Sequence, residues 1–171
     1  YLRLLDTFAT RDIGYFFYNG GNGSMQTAHE VAAFAAEEGY PLAVIGIPKT
    51  IDNDLVHTDT CPGFGSAAKY VATSVREVSL DVASMCRSST QVYVFEVMGR
   101  HAGWIALEGG IAGSADVILL PEIPYDVEKI AEAVRRRTQS GKRFSIIVVA
   151  EGAMSKADAR LVDGLVKERD H

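Results

Sequence analysis

Short apolar runs alternate with segments of helical periodicity along the chain. The apolar runs, which we predict to be buried strands, lie at 13–18, 41–47, 92–97, 117–120 and 144–150. Between them, apolar residues recur every three or four positions, which predicts helices over 25–38, 66–85, 101–110 and 127–137. Strands that alternate with helices form parallel sheets through right-handed crossovers. The pattern therefore predicts an α/β fold with parallel sheets flanked by helices.

Segments rich in glycine and polar residues follow four of the predicted strands. They lie at 20–23, at 48–65, at 98–100 and at Glu151. Parallel α/β sheets bind their ligands at the carboxyl ends of the strands. We therefore expect the chemistry of this protein to lie at those strand ends.

The first of these segments, 20–24, reads Gly-Gly-Asn-Gly-Ser between a predicted strand and a predicted helix. Glycines at such a turn let the backbone approach a phosphate, and the helix N-terminus supplies N–H donors. The spacing matches neither the Walker pattern nor the dinucleotide fingerprint. On this segment alone, a phosphate-binding turn and a simple tight turn both remain open.

The second segment concentrates catalytic residue types within six positions, at Lys49, Thr50, Asp52, Asn53 and Asp54. One Asp could accept the proton of an attacking hydroxyl, and the other could ligate Mg²⁺. Lysine and threonine could stabilise a transferring phosphoryl group. This density favours phosphoryl transfer, although a polar surface loop with an Asx turn would show a similar composition.

Further candidates follow the third and fifth predicted strands. The guanidinium of Arg100 suits a phosphate, and the carboxylate of Glu151 could accept hydrogen bonds from sugar hydroxyls. Histidines 29, 57 and 101 could carry protons, but a structural role is the more common one for such residues.

The composition of the chain disfavours binding to nucleic acids or membranes. The formal net charge is −5, which disfavours nucleic-acid binding, and we expect the basic run 135–137 to be a solvated helix face. Cys61 and Cys86 lack metal-ligand spacing and are expected to be free thiols in a reducing, cytoplasmic compartment. No apolar run approaches the roughly 20 residues that span a bilayer, and no signal peptide is visible, so no membrane partner is expected.

Three sequence motifs occur in the order typical of one enzyme family. They are Gly-Ile-Pro-Lys-Thr-Ile-Asp-Asn-Asp-Leu at 46–55, Pro-Gly-Phe-Gly-Ser-Ala-Ala at 62–68 and Glu-Val-Met-Gly-Arg-His-Ala-Gly-Trp at 96–104. From about 13 to 152, the chain resembles the phosphofructokinase family. Lys49 and His101 make it most similar to the pyrophosphate-dependent branch.

The resemblance implies a role for each candidate residue. Asp52 would be the base that takes the proton from the 1-hydroxyl of fructose 6-phosphate, with Thr50 on the transferred phosphoryl group and Lys49 on the donor. Asp54, together with Asn22, would belong to the Mg²⁺ site. The donor phosphates would contact Gly21, Asn22, Gly23 and Ser24, and the sugar phosphate would contact Met98, Gly99, Arg100 and Glu151.

Three positions depart from the family pattern. Asn22 stands where the family usually has Asp, and Gly23 stands where pyrophosphate enzymes usually have a second Asp. Glycine there leaves room for ATP. Gln91 stands where many members carry a basic residue that reaches the sugar phosphate of a neighbouring subunit. Pyrophosphate is the favoured donor, with an ATP-dependent enzyme or an inactive regulatory paralogue as alternatives.

The resemblance also implies a domain organisation. Residues 1–63 would be part of a phosphoryl-donor-binding domain, and residues 64–171 would be part of a sugar-phosphate-binding domain, both Rossmann-like. The family's enzymes are oligomers with additional chain at both ends. We therefore expect the 171 residues alone to have little or no activity.

Overall fold

A computed structural model describes the backbone of residues 1–169 and the side chains of residues 1–162. The chain divides into two compact units, Tyr1–Gly63 (unit 1) and Phe64–His171 (unit 2). That these units bind the donor and the sugar phosphate, respectively, stays a prediction.

Unit 1 contains two parallel strands and two helices. In chain order these are α1 (Leu2–Thr10), β1 (Tyr15–Gly20), α2 (Asn22–Glu37) and β2 (Ala43–Pro48). The strands pair in register from Tyr15 opposite Ala43 to Gly20 opposite Pro48, so their carboxyl ends lie side by side. The crossover through α2 is the βαβ arrangement that the sequence pattern predicts.

Both helices of unit 1 cover the same face of its sheet. The rings of Phe8 in α1 and Phe16 in β1 lie 5.2 Å apart, and Met25 in α2 lies over Gly46 in β2. The opposite face remains exposed within the described residues and carries large apolar side chains, namely Tyr15, Phe17, Ile45 and Ile47. The prediction of buried strands is therefore wrong for this face, because both helices pack on the other one. It is also wrong for Val92, Tyr93 and Val94 in the predicted strand at 92–97, which are exposed.

Unit 2 contains a three-stranded parallel sheet. Its elements are α3 (Phe64–Met85), β3 (Gln91–Val97), α4 (Trp104–Ala112), β4 (Val117–Leu119), α5 (Val127–Gln139), β5 (Phe144–Ala150) and α6 (Lys156–Arg169). The strand order is β3-β5-β4. The predicted α/β fold with parallel sheets flanked by helices is confirmed. Helix α6 was not predicted, although the apolar residues at 161, 162, 165 and 166 recur at helical spacing. The side chains of Leu161 and Val162 are exposed.

Strand β5 forms the centre of unit 2, with Ile146 and Val148 almost completely buried. Helix α4 packs closely between α3 and the sheet because glycines line it. A Cβ placed on Gly109 would lie 2.6 Å from a methyl of Val71 in α3. The interface between α3 and α4 therefore depends on the absence of a side chain at this position.

We expect Gly109→Ala to lower the free energy of unfolding of unit 2. Overpacking costs about 1–3 kcal/mol, which exceeds the gain of up to about 1 kcal/mol in helix propensity. Thermal unfolding measures the change. Gly65→Ala is the matched control, because a Cβ at Gly65 in α3 would meet no atom within 4 Å. A melting temperature of Gly109→Ala equal to or higher than that of the unsubstituted protein would contradict the packing argument.

The basic run in α5 is only partly a solvated face. Arg135 and Arg136 are exposed, but the guanidinium of Arg137 lies 2.7 Å from the carboxylate of Asp116. It also donates to the hydroxyl of Ser145, which is 1% exposed. The prediction of a solvated run is therefore wrong for Arg137, which joins α5 to the start of β4 through Asp116 and to β5 through Ser145.

Both cysteines are free thiols, as predicted, and the structure shows that both are buried. Among the helices that the structure describes, none is both long and apolar enough to cross a bilayer.

Candidate active site

The carboxyl ends of β1 and β2 bring the glycine turn next to the polar loop. The amide of Lys49 donates to the carbonyl of Gly20 at 2.8 Å, which extends the pairing of the strands by one residue. A Cβ placed on Gly21 would lie 3.6 Å from both the Lys49 carbonyl oxygen and the Thr50 side chain. The structure thus joins two segments that the sequence analysis identified separately.

The glycine turn leads directly into helix α2. Gly21 is the N-cap, and the helix starts at Asn22, so Asn22, Gly23 and Ser24 form its first turn. No side chain caps this end, and the first turn contains no acidic residue. The N–H groups and the positive end of the helix dipole favour an anion here. This arrangement supports the phosphate-binding interpretation of the turn over the simple tight turn.

The loop after β2 is folded back by local hydrogen bonds. The amide of Asp52 donates to the Thr50 hydroxyl at 3.2 Å, and the amide of Asn53 donates to the Thr50 carbonyl at 3.4 Å. Asp52 and Asp54 are both half-buried, and each has a buried Oδ1 atom. Two carboxylates are thus held in a partly desolvated loop within unit 1.

The buried Oδ1 of Asp54 has no hydrogen-bond partner in the part of the chain that the structure describes. An orphaned carboxylate oxygen fits a cation ligand, because a buried polar atom without a partner is unfavourable. The described residues contain no group of three acidic, histidine or cysteine side chains that could hold a metal. Mg²⁺ commonly uses one or two carboxylates together with water and substrate phosphates. The residues present therefore fit a magnesium ion that is shared with a phosphate donor.

The carboxyl ends of β3 and β5 form the second group of candidate residues, in unit 2. The amide of Glu151 donates to Val97 at 2.8 Å, and that of Gly152 donates to Gly99 at 3.2 Å. The carboxylate of Glu151 in turn accepts a hydrogen bond from the Gly99 amide at 3.3 Å. Glu151 therefore supports the loop at 98–100 as well as presenting a carboxylate beside it.

Glycine is required at two positions of this loop. Gly99 has φ of 134°, a conformation that side chains rarely allow. At Gly152 the backbone approaches Arg100 so closely that an added Cβ would lie 2.6 Å from the Arg100 carbonyl carbon. Met98 and Arg100 are exposed. The loop thus presents its side chains to solvent from a tightly constrained backbone.

Helix α4 begins at Trp104, three residues later than predicted, so His101 lies in the loop rather than in the helix. The carboxylate of Glu122 accepts a hydrogen bond from the amide of the N-cap residue Gly103 at 2.9 Å. The sequence analysis did not identify Glu122. A signal was present, since an acidic residue follows Pro121 just beyond β4.

Within its unit, the structure does not bring Gln91 to the other sugar-site candidates. Gln91 begins β3, whereas the loop at 98–100 follows the opposite end of that strand. Two further positions constrain the backbone beside the candidate residues: Asn53, which the sequence analysis named in the polar segment without a role of its own, and Gly152, which it did not consider. The possible Asx turn was a sequence signal for Asn53, and the position of Gly152 directly after Glu151 was a signal for the glycine.

A family model described as phosphofructokinase matches residues 1–170 of the chain. The chain belongs to the phosphofructokinase family. The resemblance inferred from the motifs at 46–55 and 96–104 is therefore confirmed, and the α/β architecture is that of the family.

The chain has relatives that are named for either donor. It is 52% identical over 167 residues to the pyrophosphate–fructose 6-phosphate 1-phosphotransferase of Methylococcus capsulatus, covering 95% of the chain and 39% of that protein. It is 48% identical over 149 residues to ATP-dependent 6-phosphofructokinase 2 of Clostridium perfringens. This match covers 87% of the chain and 38% of that protein. The chain thus spans about two fifths of the length of these relatives.

Among solved structures, the chain is similar to the pyrophosphate-dependent phosphofructokinase of Marinobacter aquaeolei. The TM-score is 0.81 at 53% sequence identity, with coverage of 90% of this chain and 40% of that one.

Proposed function

We propose that this chain carries the catalytic residues of a phosphotransferase that forms fructose 1,6-bisphosphate from fructose 6-phosphate, with pyrophosphate as donor. The observation that carries the proposal is the contact between the Lys49–Thr50 segment and the N-terminal turn of α2. It brings the backbone of Lys49 and the side chain of Thr50 against the turn that carries the anion-binding N–H groups, and the segment with the two carboxylates follows directly in the chain. Transfer of a phosphoryl group needs this combination.

Each residue of the donor site has a distinct part in the proposed mechanism. Asp52 accepts the proton of the attacking sugar hydroxyl as general base. Lys49 and Thr50 stabilise the charge that develops on the transferring phosphoryl group. The first-turn amides of α2, from Asn22 to Ser24, bind the donor phosphates. Asp54 and Asn22 would hold Mg²⁺, which when bound neutralises charge on the donor.

The loop of unit 2 would orient the sugar phosphate. Arg100 is exposed and carries a planar guanidinium that can bind a phosphate through two parallel hydrogen bonds. The Oε1 atom of Glu151 accepts from Gly99, and its other carboxylate oxygen is directed to a sugar hydroxyl in this proposal. Met98 and Gly99 complete the loop that contacts the sugar.

One observation favours ATP as an alternative donor. A Cβ placed on Gly23 would meet no atom within 4 Å, so the first turn of α2 leaves open space at this position. The larger donor would need such space for its inner phosphate. The similarity to proteins named as ATP-dependent supports this alternative, whereas the greater identity to a pyrophosphate-dependent one supports our first proposal.

An inactive regulatory paralogue is the third candidate. Asn22 and Gly23 give it some support, because each lacks a charge that is usual in the family. The joint presence of Asp52, Asp54 and Arg100 argues against it, since a protein without transfer chemistry has no need for partly buried carboxylates that cost desolvation energy.

An assay of fructose 1,6-bisphosphate formation decides among the three. The natural protein that carries this sequence is supplied with fructose 6-phosphate, Mg²⁺ and either pyrophosphate or ATP alone. We expect kcat/KM to be at least about tenfold higher with pyrophosphate, a difference of about 1.4 kcal/mol in transition-state stabilisation. A preference for ATP would favour the second candidate, and no product with either donor would favour the third.

A variant at Gly23 tests in the same assay whether this position selects the donor. Gly23→Asp would fill the open space with a carboxylate that repels the inner phosphate of a nucleotide. The expected result is a selective loss of any activity with ATP. Equal losses with both donors would show that this position does not select the donor.

The broader assignments are also part of the proposal. We propose that the protein acts in glycolysis as a cytoplasmic homo-oligomer, in keeping with the family. The sedimentation velocity of the natural protein tests the oligomeric state.

A further inference from the structure

Asn53 lies between the two candidate carboxylates and adopts a conformation that few residues accept. Its φ is 54°, in the left-handed region, where asparagine is better tolerated than most residues that carry a side chain. Asp52 precedes it and Asp54 follows it. A change in the backbone dihedrals of Asn53 therefore turns one carboxylate relative to the other.

The side chain of Asn53 holds the loop closed at two points. Its Nδ2 donates to the carbonyl of Asp59 at 3.2 Å, and its Oδ1 accepts from the amide of Cys61 at 2.8 Å. Cys61 is 1% exposed, so one of the two attachments is anchored in the core of unit 1. The amide of asparagine offers its donor and its acceptor on two separate atoms, so it can bind both backbone groups at once.

We propose that Asn53 is a positioning residue that sets the orientation of Asp52 and Asp54 toward each other, a role that rests on the phosphotransferase function proposed above. A general base must lie within hydrogen-bond reach of the proton that it removes. At the same time, the carboxylate of Asp54 must face the phosphates of the donor. The left-handed backbone and the two hydrogen bonds of Asn53 meet both requirements without contact to substrate.

The variant Asn53→Gly tests this role in the natural protein. Glycine accepts a φ of 54° without strain, so the substitution removes the two side-chain hydrogen bonds and leaves the backbone conformation accessible. We expect kcat to fall by about 10–100-fold, because a displacement near 1 Å has effects of this size. The KM for fructose 6-phosphate should stay within about threefold, since the residues proposed to bind the sugar lie in unit 2.

His57→Gly is the matched control. His57 belongs to the same loop, has a φ of 56° and is exposed, and the structure describes no hydrogen bond of its side chain. We expect its kcat to stay within about twofold of the unsubstituted protein. An equal fall in both variants would overturn the positioning role, because the loss would then reflect general loosening of the loop.

Asn53→Asp keeps the test decisive if Asn53→Gly fails to fold. It retains an acceptor for the Cys61 amide but cannot donate to Asp59. A lower kcat with an unchanged KM, in a variant whose melting temperature shows it to be folded, supports the proposal. An unchanged kcat in either folded variant overturns it. If the unsubstituted protein forms no product with either donor, the phosphotransferase function fails, and the positioning role fails with it.

Discussion

Replacement of Asp52 by Asn is expected to lower kcat by about 10²–10⁴-fold, the contribution typical of a general base. The amide is nearly isosteric with the carboxylate but cannot accept a proton from the sugar hydroxyl at neutral pH. Because the role proposed for Asp52 is proton removal from the reacting hydroxyl, KM for fructose 6-phosphate should change by less than about threefold. Steady-state kinetics of the natural protein with saturating donor measures both constants.

The pH dependence gives an independent test of Asp52. A base must be deprotonated to act, so the activity of the unsubstituted protein should fall as the pH drops and the base becomes protonated. In Asp52→Asn this fall should disappear from the profile of kcat. The control is Asp59→Asn, which changes an exposed carboxylate in the same loop. An effect of Asp52→Asn on KM alone would contradict the assignment of the base.

Gly152→Ala is expected to have the second-largest effect. The added methyl would overlap the backbone of Arg100, which cannot move aside as a flexible side chain could. The loop at 98–100 must shift instead, which should raise KM for fructose 6-phosphate by about 10–100-fold and destabilise unit 2 by about 1–3 kcal/mol. Kinetics and thermal unfolding measure the two effects.

Gly14→Ala provides the comparison for this variant. A Cβ at Gly14 would meet no atom within 4 Å, so both KM and the melting temperature should remain near those of the unsubstituted protein. An unchanged KM in folded Gly152→Ala would show that the loop does not bind the sugar phosphate.

The order of the elements could be predicted from the sequence because each depends on local patterns. The run of apolar residues in β5 (Phe144–Ala150) has the bounds that the pattern gave. The position of the polar loop after β2 likewise follows from where the apolar run stops. Both results rest on the periodicity of hydrophobic residues and on the points where it breaks. Residues that are close in the chain determine both.

The features that the sequence did not reveal depend on residues that are distant in the chain or on the sign of a dihedral. Glu122 accepts a hydrogen bond from the N-cap of α4, which lies 19 positions earlier in the chain. Arg137 pairs with Asp116, which directly precedes β4. The left-handed φ of Asn53 is compatible with the sequence but is not specified by it. The close approach of Gly152 to Arg100 arises only when β3 and β5 pair.

The candidate residues themselves were predicted from motif and resemblance, and the structure adds their arrangement within each unit. It joins Lys49 and Thr50 to the N-terminal turn of α2, a contact that requires β1 and β2 to be parallel and in register. Their chemical roles stay predictions, which the experiments above test.

The hydrogen bonds around Gly99 have a consequence for how substrate preference could be altered. Two of the three that hold the loop join backbone atoms only, and the third ends on the Glu151 carboxylate. Replacement of Met98 or Arg100 therefore leaves these bonds in place, so new side chains can be introduced on an intact framework. Libraries aimed at other sugar phosphates should randomise these two positions and keep Gly99, Glu151 and Gly152 fixed.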